Sequence, residues 1–339
     1  MKNKISTIAR FLFFLGIGIF FIWLFMRSLT HDQKKEIMLS FRHANYAWIA
    51  LAVIFGIMSH FLRSLRWKML MEPMGYFPRI SNVFFAVMIG YLANLALPRL
   101  GEVSRCGILT RYEKIPFSKS FGTVVTERAV DLIMFIILFF ATIYIQSDRL
   151  SSYLQTRVYD LLVAKFHYTM GFSTFFIFAS IAIMLVFLVV LMIFWRLVKR
   201  SAHFQKIKAQ TLGFLEGIKS LYNIKRPLLF IFYSLAIWGL YLLMAYFVFY
   251  SLPETALLGM DAGLAVLIFG SIGIMAVQGG IGIYPFIVAE TLILYSISKT
   301  TGYAMGWLIW SSQTLTIICL GILSLILLPL LNKPANVKS

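Results

Sequence analysis

Long apolar runs separated by short, basic polar segments dominate the hydropathy pattern of this 339-residue chain. The apolar runs cover about 8–29, 46–62, 82–98, 124–146, 172–195, 228–252, 261–278, 283–298 and 303–331. Several of them approach the roughly 18–20 residues with which a helix spans a bilayer. The pattern predicts an all-α, polytopic helical bundle in a membrane, with about 6–8 spanning helices.

The N-terminal part of the chain adds two further elements to this pattern. The run over 8–29 has no small-residue cleavage site after it, so we expect a retained first helix rather than a signal peptide. The spacing of Ile37, Met38 and Phe41 predicts an amphipathic helix over 30–45 on the outer membrane surface. We expect residues 1–339 to form a single transmembrane domain.

Composition and charge support this class and exclude others. The mean hydropathy is +0.85, and the net charge is +18. A soluble protein with this excess of positive charge would be a candidate for nucleic-acid binding, but the chain has no aromatic-rich RNA-binding motif. The excess fits the positive-inside bias of a membrane protein and a preference for anionic lipids. The two cysteines, Cys106 and Cys319, suggest no disulfide framework, and with five scattered histidines they show no spacing that is typical of a metal site. We therefore expect no metal and no cofactor, and we expect no nucleic acid as a partner.

The distribution of basic residues predicts the topology. A cytoplasmic N-terminus places 63–68, with Arg63 and Arg66, back on the cytoplasmic side after the second run. The loop 196–227 carries eight basic residues against the single acid Glu216, so it should also be cytoplasmic. Both conditions hold only if the chain does not cross the membrane between them at 82–98. We therefore expect a re-entrant segment near 69–98.

This topology has consequences for the remaining segments. It places 99–119 and both chain termini in the cytoplasm and 148–170 outside. Irregular backbone at membrane depth is tolerated only inside the protein or beside a watery cavity, so the re-entrant segment also predicts a cavity.

A second interruption lies near 261–298, where the sequence reads "QGGIGIYP". Gly279, Gly280, Gly282 and Pro285 fall within seven residues, which suits either an interrupted helix pair or a plain tight turn. On the predicted topology, this segment enters the membrane from the side opposite to 69–98. Each broken segment is followed by a long apolar run. This arrangement is typical of transporters that are built from inverted repeats.

Charged residues cluster at the ends of two apolar runs. The cluster comprises Arg99, Glu102, Arg105, Glu127, Arg128 and Asp131. Pro98 ends one run and Gly101 permits a tight turn, so a helix should begin near Glu102. On helices, Glu102 shares a face with Arg105, and Arg128 can pair with Asp131. These residues could form one network at the cytoplasmic mouth of the cavity.

Two interpretations of this network remain open at the sequence level. The ion pairs could simply hold a re-entrant segment in place, because intramembrane pairs are often architectural. Alternatively, the arginines could bind an anionic head group while the carboxylates position them or relay protons. Glu290 stands among apolar neighbours and is a functional candidate on that ground, although a proton or a bond to Tyr284 would also neutralise it.

These motifs resemble those of a known family. The stretches "LPRLGEVSRCGIL", "TERAVD" and "GGIGIYP" resemble the Pro-x-Arg-x-Gly-Glu-x-x-Arg, Glu-Arg-x-x-Asp and Gly-Gly-x-Gly motifs of the lysylphosphatidylglycerol synthase transmembrane region, also called the flippase-like domain family. The resemblance covers nearly the whole chain. It implies an inner-membrane protein that moves lipids, or lipid-linked groups, between leaflets. Because the sequence ends at Ser339, we expect no soluble synthase domain and no synthase activity.

The sequence therefore favours a lipid flippase for an anionic or amphoteric lipid, without enzymatic activity. A first alternative is a membrane-embedded transferase that uses Glu102, Glu127 or Asp131 as a base to modify a lipid head group. The chain carries no nucleotide-binding or nucleophile motif that would supply such chemistry. A second alternative is a non-catalytic partner that docks a soluble enzyme through the loop 196–227.

Overall fold

Helices account for all regular structure in the part of the chain that the computed structural model describes, namely residues 23, 26–27, 29–96, 99–147, 149 and 219–332. The α-helices in these ranges are α1 (His31–His43), α2 (Tyr46–Met71), α3 (Ile80–Ala96), α4 (Leu100–Glu113), α5 (Phe117–Ile145), α6 (Pro227–Phe249), α7 (Met260–Ala276), α8 (Ile283–Ile293) and α9 (Lys299–Leu331). Except for the last turn of α5, they belong to one compact unit, which combines Met1–Thr142 with Gly213–Ser339.

Four of these helices are long and apolar enough to cross a bilayer: α2, α5, α6 and α9. The predicted all-α membrane bundle is therefore confirmed. The other apolar helices are shorter, with 17 residues in α3, 17 in α7 and 11 in α8. Four predicted regions lie wholly or mostly outside the described residues: most of the run at 8–29, the run at 172–195, the segment 148–170 apart from Arg149, and most of the loop 196–227.

The predicted amphipathic segment near the N-terminus forms α1. A capping box begins this helix, because Thr30 Oγ1 accepts from Gln33 N at 3.3 Å while Gln33 Oε1 accepts from Thr30 N at 2.9 Å. Ile37 is buried in a cluster with Tyr303 of α9, whereas Met38 on the other face is exposed. The helix therefore packs one side against the bundle. Its location on the outer membrane surface remains a prediction.

Helix α2 runs antiparallel to α5 and α6, and this defines two ends of the bundle. At the end where α2 begins, the "Tyr46 end", Asn45 N donates to Ser251 O after α6 at 2.8 Å. At the end where α2 finishes, the "Met71 end", Trp67 Nε1 donates to Thr123 Oγ1 near the start of α5 at 2.9 Å. Every other helix is placed relative to these two ends.

The "first hairpin" consists of α3 and α4, and both of its open ends lie at the Met71 end. Glu113 Oε1, at the end of α4, accepts from Arg79 N at 3.1 Å and from Asn82 at the start of α3. With 17 and 14 residues, the two arms reach only about 25 and 21 Å. The expected re-entrant segment is therefore present, but it extends over 80–113 rather than ending at 98. The expectation that all of 99–119 faces the cytoplasm is wrong, because α4 is the returning arm and packs against α3.

The tip of the first hairpin also differs from the expectation. Arg99, and not Gly101, adopts the left-handed conformation that turns the chain, with φ of 62°. Gly101 lies within α4, where its N–H donates to Asn94 Oδ1 at 2.7 Å. A methyl group at Gly101 would collide with the carbonyl oxygen of Gly90, so this glycine allows α3 and α4 to approach closely. Pro98 lies outside the described residues.

The "second hairpin" consists of α7 and α8, and its open ends lie at the Tyr46 end. The connection between its arms has positive φ at Gly279, Gly280 and Gly282, with values of 69°, 68° and 73°. The interrupted helix pair is therefore the correct alternative. Pro285 does not break the backbone further, because it lies in the first turn of α8, where proline is tolerated.

The two hairpins enter the bundle from opposite ends, and their tips meet. A methyl group built on Gly279 would lie 3.8 Å from Leu95 Cδ2 in the first hairpin. Helix α9 contacts both hairpins: Trp310 Nε1 donates to Gly279 O at 2.6 Å, and Gly321 packs against Leu92. The opposed arrangement of broken segments that the sequence predicts is thus present.

Helix α2 is longer than its apolar run, and this changes the location of two basic residues. The apolar run ends at 62, whereas the helix continues to Met71 and includes Arg63 and Arg66. Arg63 is 5% exposed and Arg66 is fully buried. The expectation that 63–68 faces the cytoplasm is therefore wrong for these two arginines. A membrane-spanning helix can contain a buried arginine when carboxylates of neighbouring helices pair with it.

The close contact at Gly101 predicts a specific stability difference between two glycines of α4. Gly101→Ala should lower the free energy of unfolding by about 1–3 kcal/mol, because the added methyl group meets backbone that cannot move freely. Gly107→Ala is the matched control, since nothing lies within 4 Å of its added methyl group. It should be neutral or stabilising by up to about 1 kcal/mol. Apparent melting temperatures in detergent would check both values, and equal shifts would contradict the packing.

Candidate functional site

A network of buried ion pairs connects α2, α4 and α5. Glu127 of α5 is fully buried, and its Oε1 lies 2.9 Å from Arg63 Nη1 while its Oε2 lies 2.9 Å from Arg105 Nη1. Asp131, one turn later, lies 2.6 Å from Arg66 Nη2 and 2.9 Å from Arg63 Nη1. Helical spacing explains the pattern, because residues three or four apart share a face. The pairs on facing antiparallel helices therefore come into register.

This network contains three guanidinium groups but only two carboxylates, and aromatic rings contact each guanidinium. The Cζ atom of Arg105 lies 4.6 Å from the centroid of the Trp67 ring. Those of Arg63 and Arg66 lie 5.9 Å from the rings of Tyr91 and Phe230, respectively. Ring faces attract cations, and the attraction grows when water is excluded. The rings therefore help to stabilise the excess positive charge.

The network lies well inside the helical bundle, more than two helical turns from the Met71 end. Arg63 is about 12 Å along α2 from Met71, at 1.5 Å per residue. Glu127 is about 15 Å along α5 from Phe117. Ionised groups at such depth are expensive unless they are paired, and they frequently mark a functional site.

A second, more exposed ion pair lies beside this network. Arg128 Nη2 lies 2.8 Å from Glu102 Oε1, with 45% and 20% of the two side chains exposed. The expected partners are therefore exchanged: Arg128 pairs with Glu102 instead of Asp131. Arg105 pairs with Glu127 rather than with its helical neighbour Glu102. Both observed pairs join α4 to α5, so ion pairs between two helices take the place of the expected pairs within one helix.

A cavity of about 380 Å³ extends from these ion pairs into the centre of the bundle. It is lined by Val53, Gly56, His60, Arg63, Tyr91, Arg128, Tyr241, Met244, Ala245, Leu267, Ser271, Ile274, Met275, Tyr284, Ser312, Gln313, Thr316 and Ile317. The lining thus comes from α2, α6, α9, both hairpins and α5. Its charged end is formed by Arg63 and Arg128. The cavity that the sequence predicts is present among the described residues.

An apolar groove of about 390 Å³ between α2 and α9 adjoins the cavity. Its lining is Tyr46, Ile49, Val53, Ile57, Leu308, Ser311, Ser312, Leu315, Thr316, Cys319 and Leu320, of which Val53, Ser312 and Thr316 also line the cavity. The hydroxyls of Ser312 and Thr316 donate to carbonyls of their own helix, Ile309 O at 2.8 Å and Ser312 O at 2.7 Å. Their donors are thus already used, and the groove suits hydrocarbon.

Some of the residues singled out from the sequence lie elsewhere. Glu290 does not stand alone, because its Oε1 lies 2.7 Å from Lys299 Nζ in a partly exposed pair near the Tyr46 end. It does not line the cavity, whereas Tyr284 does. Arg99 is exposed at the tip of the first hairpin, and no described residue forms an ion pair with it. In the described ranges, no group of three His, Cys, Asp or Glu residues could hold a metal ion.

The sequence pattern does not predict the contribution of α2 to the site. The pattern places Arg63 and Arg66 in a cytoplasmic segment, and it gives no role to His60, Tyr91 or Tyr241. One signal was available: Arg63 and Arg66 are three apart, and Glu127 and Asp131 are four apart. Each pair therefore shares a helix face, and matched faces of opposite charge favour contact between the two helices.

The comparison with protein families agrees with this architecture. Residues 8–321 match the family described as the lysylphosphatidylglycerol synthase TM region. The chain belongs to this family. The match includes both hairpins, the ion-pair network and most of α9.

Two individual relatives are similar over shorter segments. A UPF0104 membrane protein of Methanocaldococcus jannaschii is 30% identical over 138 residues, which are 40% of this chain and 38% of that protein. The glycosyltransferase AglD of Haloferax volcanii is 26% identical over 102 residues, 30% of this chain and 16% of that protein. The matched segment is thus well under two thirds of either relative. No solved structure matches the chain. Membership in the family supports a lipid-related role in a membrane.

The burial of the network predicts a large difference between two acidic residues. Glu127→Gln should destabilise the fold by about 3–5 kcal/mol, because three buried arginines lose their shared negative charge. Glu290→Gln removes an acid from a partly exposed pair, and it should change stability by no more than about 1 kcal/mol. Apparent melting temperatures of the two variants and the wild type in the same detergent would check this difference. Small and equal shifts would mean that Glu127 is not the centre of the network.

Proposed function

We propose that this protein is a lipid flippase, which moves an anionic or amphoteric lipid, or a lipid-linked group, between the leaflets of the cell membrane without modifying it. One observation carries the proposal: a cavity with two arginines at one end adjoins an apolar groove between α2 and α9. A lipid has the same two parts, because a charged head group is joined to hydrocarbon chains. The cavity suits the head group and the groove suits an acyl chain.

The hairpins support movement of a ligand past the centre of the membrane. Their tips meet at Leu95 and Gly279, so each hairpin closes one side of the cavity region. Discontinuous helices in opposed repeats surround the midplane sites of many transporters, and the repeats rock against each other to give access from each side in turn. The three glycines with positive φ at the second tip can accommodate such a change in backbone direction.

The charge distribution supports a cytoplasmic Met71 end. Within the described residues, the basic side chains at this end are Lys68, Arg79, Arg111, Lys114, Lys119, Lys219, Lys225 and Arg226, against the acids Glu72 and Glu113. Within the compact unit, the described basic side chains at the Tyr46 end are Arg27, Lys34, Lys35, Arg42 and Lys299, against Asp32, Glu36, Glu254, Asp261 and Glu290. The positive-inside bias thus favours this orientation, with a cytoplasmic C-terminus after α9. The arginine end of the cavity would then lie in the cytoplasmic half of the bilayer.

The transferase alternative is less well supported by the geometry. A catalytic base must reach the substrate, but Glu102, Glu127 and Asp131 each face an arginine, and none of them lines the cavity. The relative named as a glycosyltransferase matches over only 16% of its own length, so its activity gives little support here. A docking role for the loop 196–227 involves residues that lie mostly outside the described ranges.

Transport by the purified protein in vesicles tests the proposal. Vesicles with a trace of acyl-labelled fluorescent phosphatidylglycerol should show protein-dependent exposure of the inner-leaflet label to a membrane-impermeant reductant. Arg128→Ala should slow this exposure about tenfold or more, because a hydrogen bond to a charged group contributes about 1.5–3 kcal/mol. Arg111→Ala is the matched control, since Arg111 is exposed on α4 and does not line the cavity. It should transport normally.

A second variant tests the groove in the same assay. Cys319→Trp places a large side chain in the groove, whereas Leu330→Trp places one on a lipid-exposed part of the same helix. Transport should be slowed by the first variant only. If the folded wild type shows no more exposure than empty vesicles, the flippase proposal is wrong. If Arg111→Ala and Arg128→Ala behave alike, the cavity is not the route.

A further inference from the structure

The charged wall of the cavity has one sign. Among the described residues that line it, Arg63 and Arg128 are the charged side chains at neutral pH, and no acid is present. The remaining polar lining consists of tyrosines, serines, a threonine, a glutamine and His60. Walls of low dielectric constant concentrate the field of fixed charges inside a cavity. A ligand in this cavity therefore meets a positive potential.

The carboxylates of the site lie behind the arginines. Glu102 bonds to Arg128, while Glu127 and Asp131 bond to arginines of the buried network. The two ion-pair groups together hold four arginines and three acids, so one positive charge remains without a matching acid among them. This positive charge has no matching carboxylate within the two ion-pair groups. A negatively charged group in the cavity would neutralise it.

Arg63 also has an unused donor. Its Nε is buried and has no hydrogen-bond partner within the described part of the protein. The side chain as a whole is 5% exposed and lines the cavity. The Nε atoms of Arg66 and Arg105 are buried without a described partner as well. A guanidinium group binds phosphate oxygens through its N–H groups, so the Arg63 side chain, which lines the cavity, has the chemistry that an anionic head group requires.

At the arginine end of the cavity, the two described tyrosines are already engaged by Arg63 and offer no separate site for a positively charged amine. Aromatic rings can hold an ammonium group, but the ring of Tyr91 already contacts Arg63, and the Tyr241 hydroxyl accepts from Arg63 Nη2 at 3.4 Å. The nearest carboxylates would have to leave their arginines to reach such an amine. An amine in this cavity would therefore face like charge without compensation.

We infer that the cavity selects lipids with a net negative head group and rejects head groups that carry an added amine, such as aminoacylated phosphatidylglycerol. The inference rests on the proposed function, and it narrows the substrate to a class opposite in charge to the lipid in the family's name. The apolar groove favours a lipid over a soluble anion as the ligand, because the groove adjoins the arginine-lined cavity at Val53, Ser312 and Thr316.

Transport of two matched lipids tests the selection. The full chain is reconstituted in vesicles containing acyl-labelled phosphatidylglycerol or acyl-labelled lysylphosphatidylglycerol, so that the label leaves both head groups intact. Phosphatidylglycerol should move at least about tenfold faster than lysylphosphatidylglycerol. A modest difference between the two lipids in electrostatic free energy of binding is enough to produce this ratio. Arg128→Gln should bring the two rates closer together, mainly by slowing phosphatidylglycerol.

Each outcome has a defined meaning for the inference. If the two lipids move at rates within a few-fold of each other, or if the lysyl lipid is faster, the charge selection is overturned while the flippase function stands. If neither lipid moves, the proposed function fails and the inference fails with it. If millimolar inorganic phosphate abolishes movement of phosphatidylglycerol, the site prefers a soluble anion, and the lipid assignment is overturned.

Discussion

The pairing of charge inside the membrane is the constraint on which the rest of this structure depends. Arg63, Arg66, Arg105, Glu127 and Asp131 lie at a depth where an isolated ion would be strongly unfavourable. Because their partners reside on three different helices, pairing fixes the positions of α2, α4 and α5 together. It also requires α4 to lie inside the bundle, and this in turn requires a hairpin tip at membrane depth. The ion-pair network therefore stabilises the position of the first hairpin, and the hairpin in turn places Arg105 in the network.

The opposed hairpins provide the space in which this charge can act. Because each hairpin turns back near the middle of the bundle, neither one fills the full thickness of the membrane with helix. Residues of both hairpins line the cavity, and α9 contacts both hairpins at Gly279 and Leu92. Backbone that leaves helical geometry at membrane depth is tolerated where protein or a water-filled cavity, rather than lipid, surrounds it. The opposed hairpins thus account both for the architecture of the bundle and for the space in which the candidate site lies.

Much of the architecture could be predicted from the sequence, because membrane topology follows strong rules. The apolar runs indicate the helices, and the charge bias indicates that the chain must turn back once in its first half. The pairing of the ions could not be predicted in the same way. Local spacing favoured Arg128 with Asp131, but contacts between distant helices pair Arg128 with Glu102 instead.

The details of the turns depended on similar long-range contacts. Gly101 follows an apolar run and looks like a turn residue, yet it serves the close packing of α3 and α4, while Arg99 turns the chain. Glu290 looks isolated in the sequence because its partner, Lys299, follows nine residues later beyond a turn. Conversely, Arg63 looks like the end of a helix, and only the acids on α5 explain why the helix continues.

The claim that unites these observations is that Arg63 and Arg128 hold the head group of an anionic lipid. Native mass spectrometry of the protein extracted gently from its membrane tests this claim most directly, because it identifies the lipids that stay bound. We expect the wild type to retain anionic lipid, enriched over the bulk membrane, and we expect Arg128→Ala but not Arg111→Ala to lose that lipid. Retention of zwitterionic or aminoacylated lipid, or equal retention by both variants, would contradict the claim.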